Sequence, residues 1–84
     1  MKNSYLPIGS IITAEGQDLM ICAYINKKTE INGNYYDYAC CLYPSGLGAE
    51  AILIKKEQIK DIKFIGFQDG KYYDYLKQLE NKNE

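Results

Sequence analysis

The chain has 84 residues, 46 % apolar and 25 % charged, enough for one small globular domain and against wholesale disorder. Ten lysines stand against eleven acidic residues, with no arginine and no histidine, which argues against sequence-specific DNA binding and histidine-based metal or acid–base chemistry. No run approaches the roughly 20 apolar residues of a membrane helix. The start, Met1-Lys2-Asn3-Ser4-Tyr5, has no apolar signal region, and three cysteines is an odd count for a disulfide framework, so the expected location is the cytoplasm.

Short runs rich in Ile and Tyr, separated by Gly and Asn, read as strands. The first is Ile8 to Thr13, ended by the turn-like Glu15-Gly16-Gln17-Asp18. The second runs from Leu19 to Ile31, bent near Asn26-Lys27-Lys28. Asn32-Gly33 then predicts a two-residue type I′ hairpin, in which both residues need positive φ. Extending that turn into a register sets Ile31 opposite Asn34, Ile25 opposite Cys40 and Ala23 opposite Leu42, with Lys28 opposite Asp37 on the reverse side. Lys27 and Thr29 then face Tyr38 and Tyr36. On the other face, Tyr24 meets Cys41 and Cys22 meets Tyr43, because side chains alternate with a period of two. Both faces are apolar, so burial on both sides is expected.

Pro44-Ser45-Gly46-Leu47-Gly48 ends the third strand. Ala51 to Lys55 is a fourth, Lys56 to Ile59 a tight turn, and Asp61 to Phe67 a fifth. The period then changes: Tyr72, Tyr75, Leu76 and Leu79 form one stripe of a helix over about 70–80, with Asp69 as N-cap. At this length the helix must dock. Tyr73, Lys77 and Glu80 are expected to face out, and Asn81 to Glu84 to fray. The expected fold is mainly β (α+β): a five-stranded SH3-like open barrel or curled antiparallel sheet with a C-terminal helix.

No catalytic, cofactor or metal site emerges. Cys40 and Cys41 are neighbours on a strand and point to opposite faces, so they cannot clamp one ion together. Cys22 and Cys41 are diagonal neighbours on one face, but no histidine stands by to make a thiolate. All three are expected to be small buried hydrophobes. The acids Glu15, Asp18, Glu30, Asp37, Glu57 and Asp61 sit in turns or on the hairpin and read as solvated. Gly46 and Gly48 lack the lysine and helix start of a phosphate loop.

The nine tyrosines carry the functional promise, since tyrosine supplies large amphipathic contact area at low entropic cost. Tyr24, Tyr43, Tyr72 and Tyr75 fall on faces expected to pack. Tyr35, Tyr36, Tyr38 and Tyr73 lie beyond the expected core and are the candidate partner-binding residues. The partner would be a protein, and a core this small also favours self-association into a homodimer. Lysines interleaved with aromatics suggest a second reading, a small barrel binding single-stranded nucleic acid. Acids alternate with lysines throughout, as in Lys55-Lys56-Glu57, so no basic stripe forms in support of it.

Several stretches, in order along nearly the whole chain, resemble one small bacterial family. They are Leu6-Pro7-Ile8-Gly9-Ser10, Leu19-Met20-Ile21, Asp37-Tyr38, Cys41-Leu42-Tyr43-Pro44-Ser45-Gly46 and Phe64-Ile65-Gly66-Phe67-Gln68-Asp69. Together they look like domain-of-unknown-function family 4176. Cys40 stands where that resemblance leads one to expect glycine, which puts a close backbone approach there in doubt. The resemblance implies no catalytic residues. It implies a context: genes beside type VII secretion loci, near toxins with an LXG domain, and a role as a cytoplasmic accessory or targeting chaperone for such a toxin.

Overall fold

A computed structural model describes residues 5–26, 28–48 and 50–82, with side chains through 80. The strands are β1 (Ile11–Ala14), β2 (Gln17–Tyr24), β3 (Glu30–Ile31), β4 (Asn34–Tyr35), β5 (Tyr38–Leu42), β6 (Ile52–Ile54) and β7 (Ile59–Phe64). A 3₁₀ turn over Lys56–Gln58 precedes β7, and helix α1 (Gly70–Lys82) follows it. Five strands form an antiparallel sheet in the order β6-β5-β2-β1-β7, while β3 and β4 make a separate two-stranded ribbon. The expected curled sheet with a C-terminal helix is therefore what forms. It does not close into a barrel, because β6 and β7 remain its two edges.

Both predicted turns form. Asn32 and Gly33 have φ of +53° and +81°, as a type I′ hairpin requires, and Ile31 pairs with Asn34. Glu15 and Gly16, with φ of +53° and +74°, make the β1–β2 turn in the same way, so Gln17 and Asp18 belong to β2. The register extended from Asn32-Gly33 does not survive. Cys40 pairs with Ile21 rather than Ile25, Cys41 with Met20 rather than Tyr24, and Leu42 with Leu19 rather than Ala23. Five residues, 25 to 29, separate β2 from β3, whereas two, Tyr36 and Asp37, separate β4 from β5. That unequal detour shifts the pairing by three residues, and a bulge at Cys22 adds one more. The detour is held by Asn26, whose side chain accepts the Lys28 N–H at 2.8 Å and whose carbonyl accepts that of Thr29 at 2.9 Å. The expected contact of Lys27 lies outside the described residues.

The bulge also re-sorts the faces. Tyr24 now pairs with Tyr38 in the core, and Ala23 with Ala39 on the back. Ile12, Ala14, Leu19, Ile21, Tyr38, Cys40 and Ile54 fill the core side, closed by Tyr5 and by Leu79 of α1. Cys40, at the position where glycine was expected, is fully buried there, so a side chain is accommodated. On the opposite face Cys41 is buried, but Met20 and Ala39 are half-buried, Ala23 is exposed and Cys22, expected to be buried, is only partly so, and burial on both sides therefore holds only in part.

Asp69 caps α1 as expected, its side chain accepting the Tyr72 N–H at 3.0 Å. Leu79 is the buried anchor, with Leu76 and Tyr72 half-buried, while Tyr75 is half exposed and stacks on Tyr24 at 5.9 Å. Glu80 is half-buried rather than facing out. The helix continues through Asn81 and Lys82, where fraying was expected; Asn83 and Glu84 lie outside the described residues. Leu79→Ala is the helix substitution expected to cost about 2–5 kcal/mol in urea denaturation, and Leu76→Ala less, since Leu76 is not fully buried. No helix is long and apolar enough to cross a membrane among the described residues.

Candidate functional site

Among the described residues no group of three or more His, Cys, Asp or Glu comes together in a way that could hold a metal. Asp37, read from sequence as solvated, is buried. Its carboxylate accepts the Lys56 N–H at 2.7 Å, and its own N–H and carbonyl bond Ile54 and Ile25. It tethers the start of the 3₁₀ turn to β5. Glu15 accepts a hydrogen bond from the Gln58 amide at 3.0 Å, tying the β1–β2 turn to the same segment.

The tyrosines divide in a way the sequence did not reveal. Tyr38, a candidate binding residue, is 1 % exposed. Its hydroxyl accepts the Leu6 N–H at 2.9 Å, and its ring lies 5.7 Å from that of Tyr5 and 6.1 Å from that of Tyr24. The Tyr24 hydroxyl donates to the Leu6 carbonyl at 2.7 Å, so both polar groups of Leu6 are held by tyrosines. From α1, the Tyr72 hydroxyl donates to the Tyr5 carbonyl at 2.7 Å. The Lys56 ammonium sits 3.9 Å from the centre of the Tyr5 ring. This aromatic cluster docks both the N-terminal segment and the helix onto the sheet. Tyr38 is thus a core residue, and its place among the binding candidates is corrected. Tyr38 faces the core because it lies two residues from the buried Cys40 on β5, and the bulge at Cys22 turns Tyr24 to the same side.

Burial holds three of these phenols above their usual range. Burial, then the neighbouring Tyr72 hydroxyl, pushes Tyr24 up to about 12. Tyr38 goes higher still for the same first reason, and Tyr72 is raised by burial and then by Tyr73. A raised folded-state value means the unfolded chain gives up its phenolic proton first, at the ordinary value of 10.0. Stability is therefore fully present below about pH 10 and is expected to fall as pH rises toward 12. Tyrosinate absorbance measured alongside circular dichroism checks this: three of the phenols should ionise only together with loss of structure. Independent ionisation of all of them in the folded chain would contradict it.

Of the other candidates, Tyr35 is 53 % exposed and pairs with Glu30 at the end of the β3–β4 ribbon away from its turn. Tyr36 is half-buried, with the Lys55 ammonium 6.0 Å from its ring centre. Tyr73 is 50 % exposed and its hydroxyl donates to the Gln68 side chain at 3.0 Å. Tyr43, expected to pack, is also about half exposed. The binding candidates do not come together as one site: Tyr35 and Tyr36 belong to the ribbon, Tyr73 to α1 and Tyr38 to the core.

Sequence reasoning missed the most apolar exposed stretch. Ile62 and Phe64 on β7, then Ile65 and Phe67 beyond it, are all at least about half exposed, Phe67 reaching 79 %. The stretch lies on an edge strand, and Ile8 is exposed nearby in the chain segment against which it is pinned. The pin is Gly66. Its N–H donates to the fully buried Ser10 hydroxyl at 2.9 Å, and its Cα lies so close to the Ile8–Ser10 backbone that an added Cβ would run into the Ile8 carbonyl oxygen. The signal available in the sequence was the string Ile62-Lys63-Phe64-Ile65-Gly66-Phe67, which is apolar at successive positions of both parities and so cannot bury every member in a one-sided edge strand.

The family model described as Domain of unknown function (DUF4176) matches residues 5–75. The chain belongs to that family. The match spans the aromatic cluster around Leu6, the ribbon carrying Tyr35 and Tyr36, the exposed run from Ile62 to Phe67, and Tyr73; Leu76 and Leu79 fall beyond it. Neither the curated proteins nor the solved structures contain a match to this chain.

Proposed function

We propose that this member of DUF4176 is a non-enzymatic protein-binding module, a cytoplasmic accessory or targeting chaperone for a type VII secreted LXG toxin. The context comes from the family resemblance. The observation that carries the binding role is the exposed apolar run Ile62, Phe64, Ile65 and Phe67 at an open sheet edge. Large apolar side chains gathered on a surface are a common mark of a protein-binding site, because a partner recovers the free energy of hiding them from water. Lys60 and Asp61 precede the run and Lys63 interrupts it, and such charges on an edge strand disfavour pairing with another copy. Tyr35, Tyr36 and Tyr73 are retained as secondary contacts.

The test is co-expression with the products of the neighbouring genes, followed by co-purification. Replacing Phe64 and Phe67 with serine is expected to weaken capture at least tenfold while shifting thermal stability little, since both rings are mostly exposed. Capture of no neighbouring gene product by the unaltered chain would remove the accessory role. Capture that survives the double substitution but is lost with Tyr35→Ser would move the site to the ribbon. A titration with short single-stranded DNA or RNA at low salt is expected to show no salt-sensitive binding.

A further inference from the structure

The back face of the sheet carries a pair of thiols that protein binding does not use. Cys22 in β2 and Cys41 in β5 have their sulfur atoms 3.2 Å apart, with the Cys22 thiol directed at the Cys41 sulfur and the Met20 carbonyl 3.6 Å away. The bulge creates this approach. Ile21 pairs with Cys40 and Ala23 with Ala39, which leaves Cys22 as the extra residue leaning toward Cys41. Cys41 is buried, whereas Cys22 is partly exposed. Cys40 is fully buried on the core face and lies on the wrong side of the sheet to compete.

We propose that Cys22 and Cys41 are a site of oxidative modification, a dithiol that a peroxide converts to an intramolecular disulfide joining β2 to β5. The exposure of Cys22 makes it the attacking thiol. Its thiolate attacks one peroxide oxygen, forming an S–O bond and breaking the O–O bond, and the departing hydroxide takes up a proton to become water. The Cys41 thiol then attacks the sulfur of the resulting sulfenic acid. An S–S bond forms, the S–O bond breaks, and the hydroxide leaves with the Cys41 proton as a second water. The two cysteines together lose two electrons and two protons, and the peroxide is reduced to two waters. A bonded pair of sulfurs sits about 2.05 Å apart, so the two side chains must close by roughly 1 Å, which rotation of two short side chains supplies.

Burial, and then the hydrogen bond to Cys41, hold the Cys22 thiol above its ordinary range, which keeps the thiolate scarce. The pair is therefore a slow responder to sustained oxidant rather than a fast peroxide-consuming centre. Burial pushes Cys40 up to about 12, consistent with a thiol that takes no part. Once formed, the bond would staple the central strand pair and close a loop between residues 22 and 41, which restricts the unfolded chain and raises the melting temperature.

The experiment uses the full folded chain incubated with excess hydrogen peroxide and read by intact mass. The expected result is a loss of about 2 Da, reversed by dithiothreitol, with an increased melting temperature in the oxidised form. Cys40→Ala should retain that loss, and Cys22→Ser should abolish it. Because Cys22 is partly exposed, its serine variant is expected to fold, which circular dichroism checks. Oxygen added at Cys22 or Cys41, located by peptide mapping and so told apart from sulfoxide at the two methionines, intermolecular dimers in place of the 2 Da loss, or retention of that loss in Cys22→Ser would each overturn the proposal. None of these readouts depends on whether the exposed β7 edge binds a toxin.

Discussion

Tyr38→Ala is expected to unfold this protein under conditions where the unaltered chain is fully folded. The side chain is almost completely buried between Tyr5 and Tyr24, and removing a buried aromatic ring costs about 3–5 kcal/mol. Its hydroxyl also accepts the Leu6 N–H, so truncation strands a backbone donor, adding about 1–3 kcal/mol if water does not reach it. A domain this small holds only on the order of 5–10 kcal/mol in total. Tyr38→Phe separates the two effects, since it keeps the ring and loses only the acceptor. Urea denaturation followed by circular dichroism should rank the chains as unaltered, then Tyr38→Phe, then Tyr38→Ala. Tyr35→Ser, on the exposed ribbon, should fall within about 0.5 kcal/mol of the unaltered chain. Equal, small effects at Tyr38 and Tyr35 would return Tyr38 to the surface and undo the core assignment.

Gly66→Ala is the second large effect. Alanine suits the local backbone, because Gly66 does not occupy the left-handed region, so the cost is purely one of space. The new methyl would meet three backbone atoms of the Ile8–Ser10 segment, and backbone cannot swing aside as a flexible side chain can. Separating the two segments also stretches the bond from the Gly66 N–H to the buried Ser10 hydroxyl. Overpacking of this kind costs about 1–3 kcal/mol, and the weakened hydrogen bond adds about 1 kcal/mol. Gly70→Ala is the control. It opens α1 with nothing near its Cα, and is expected to be neutral or to stabilise by up to about 1 kcal/mol. If both alanines have the same small effect in thermal denaturation, the close approach at Gly66 is not a constraint.

The binding reading depends on the same geometry. Gly66 and Ser10 hold the chain leaving β7 against the segment before β1, and this leaves Phe64, Ile65 and Phe67 facing solvent instead of folding back on the core. A stable variant that relaxes this pin would alter partner capture as well as stability, whereas the serine double variant at Phe64 and Phe67 alters capture alone.

Local chemistry made several features legible without a structure. Asn32-Gly33 and Glu15-Gly16 are turns because their backbone demands are met within a few residues, and Asp69 caps α1 for the same reason. The change from a strand-like to a helical period near Asp69 likewise needs only neighbouring residues, and with the count of apolar runs it yields an antiparallel sheet followed by a helix. The opposite orientation of Cys40 and Cys41 follows from the pleat alone.

What the sequence could not decide was how far those local features extend. A register projected from Asn32-Gly33 assumes that both strands run on without interruption. The detour at residues 25 to 29, held by Asn26, and the bulge at Cys22 broke that assumption, and it is the bulge that brings Tyr24 onto the Tyr5 and Tyr38 rings from distant parts of the chain. That choice brought Tyr24 onto Tyr38 and set Cys22 beside Cys41. One extra residue in a strand moves every side chain beyond it to the other face, and only the tertiary contacts select where that residue is placed.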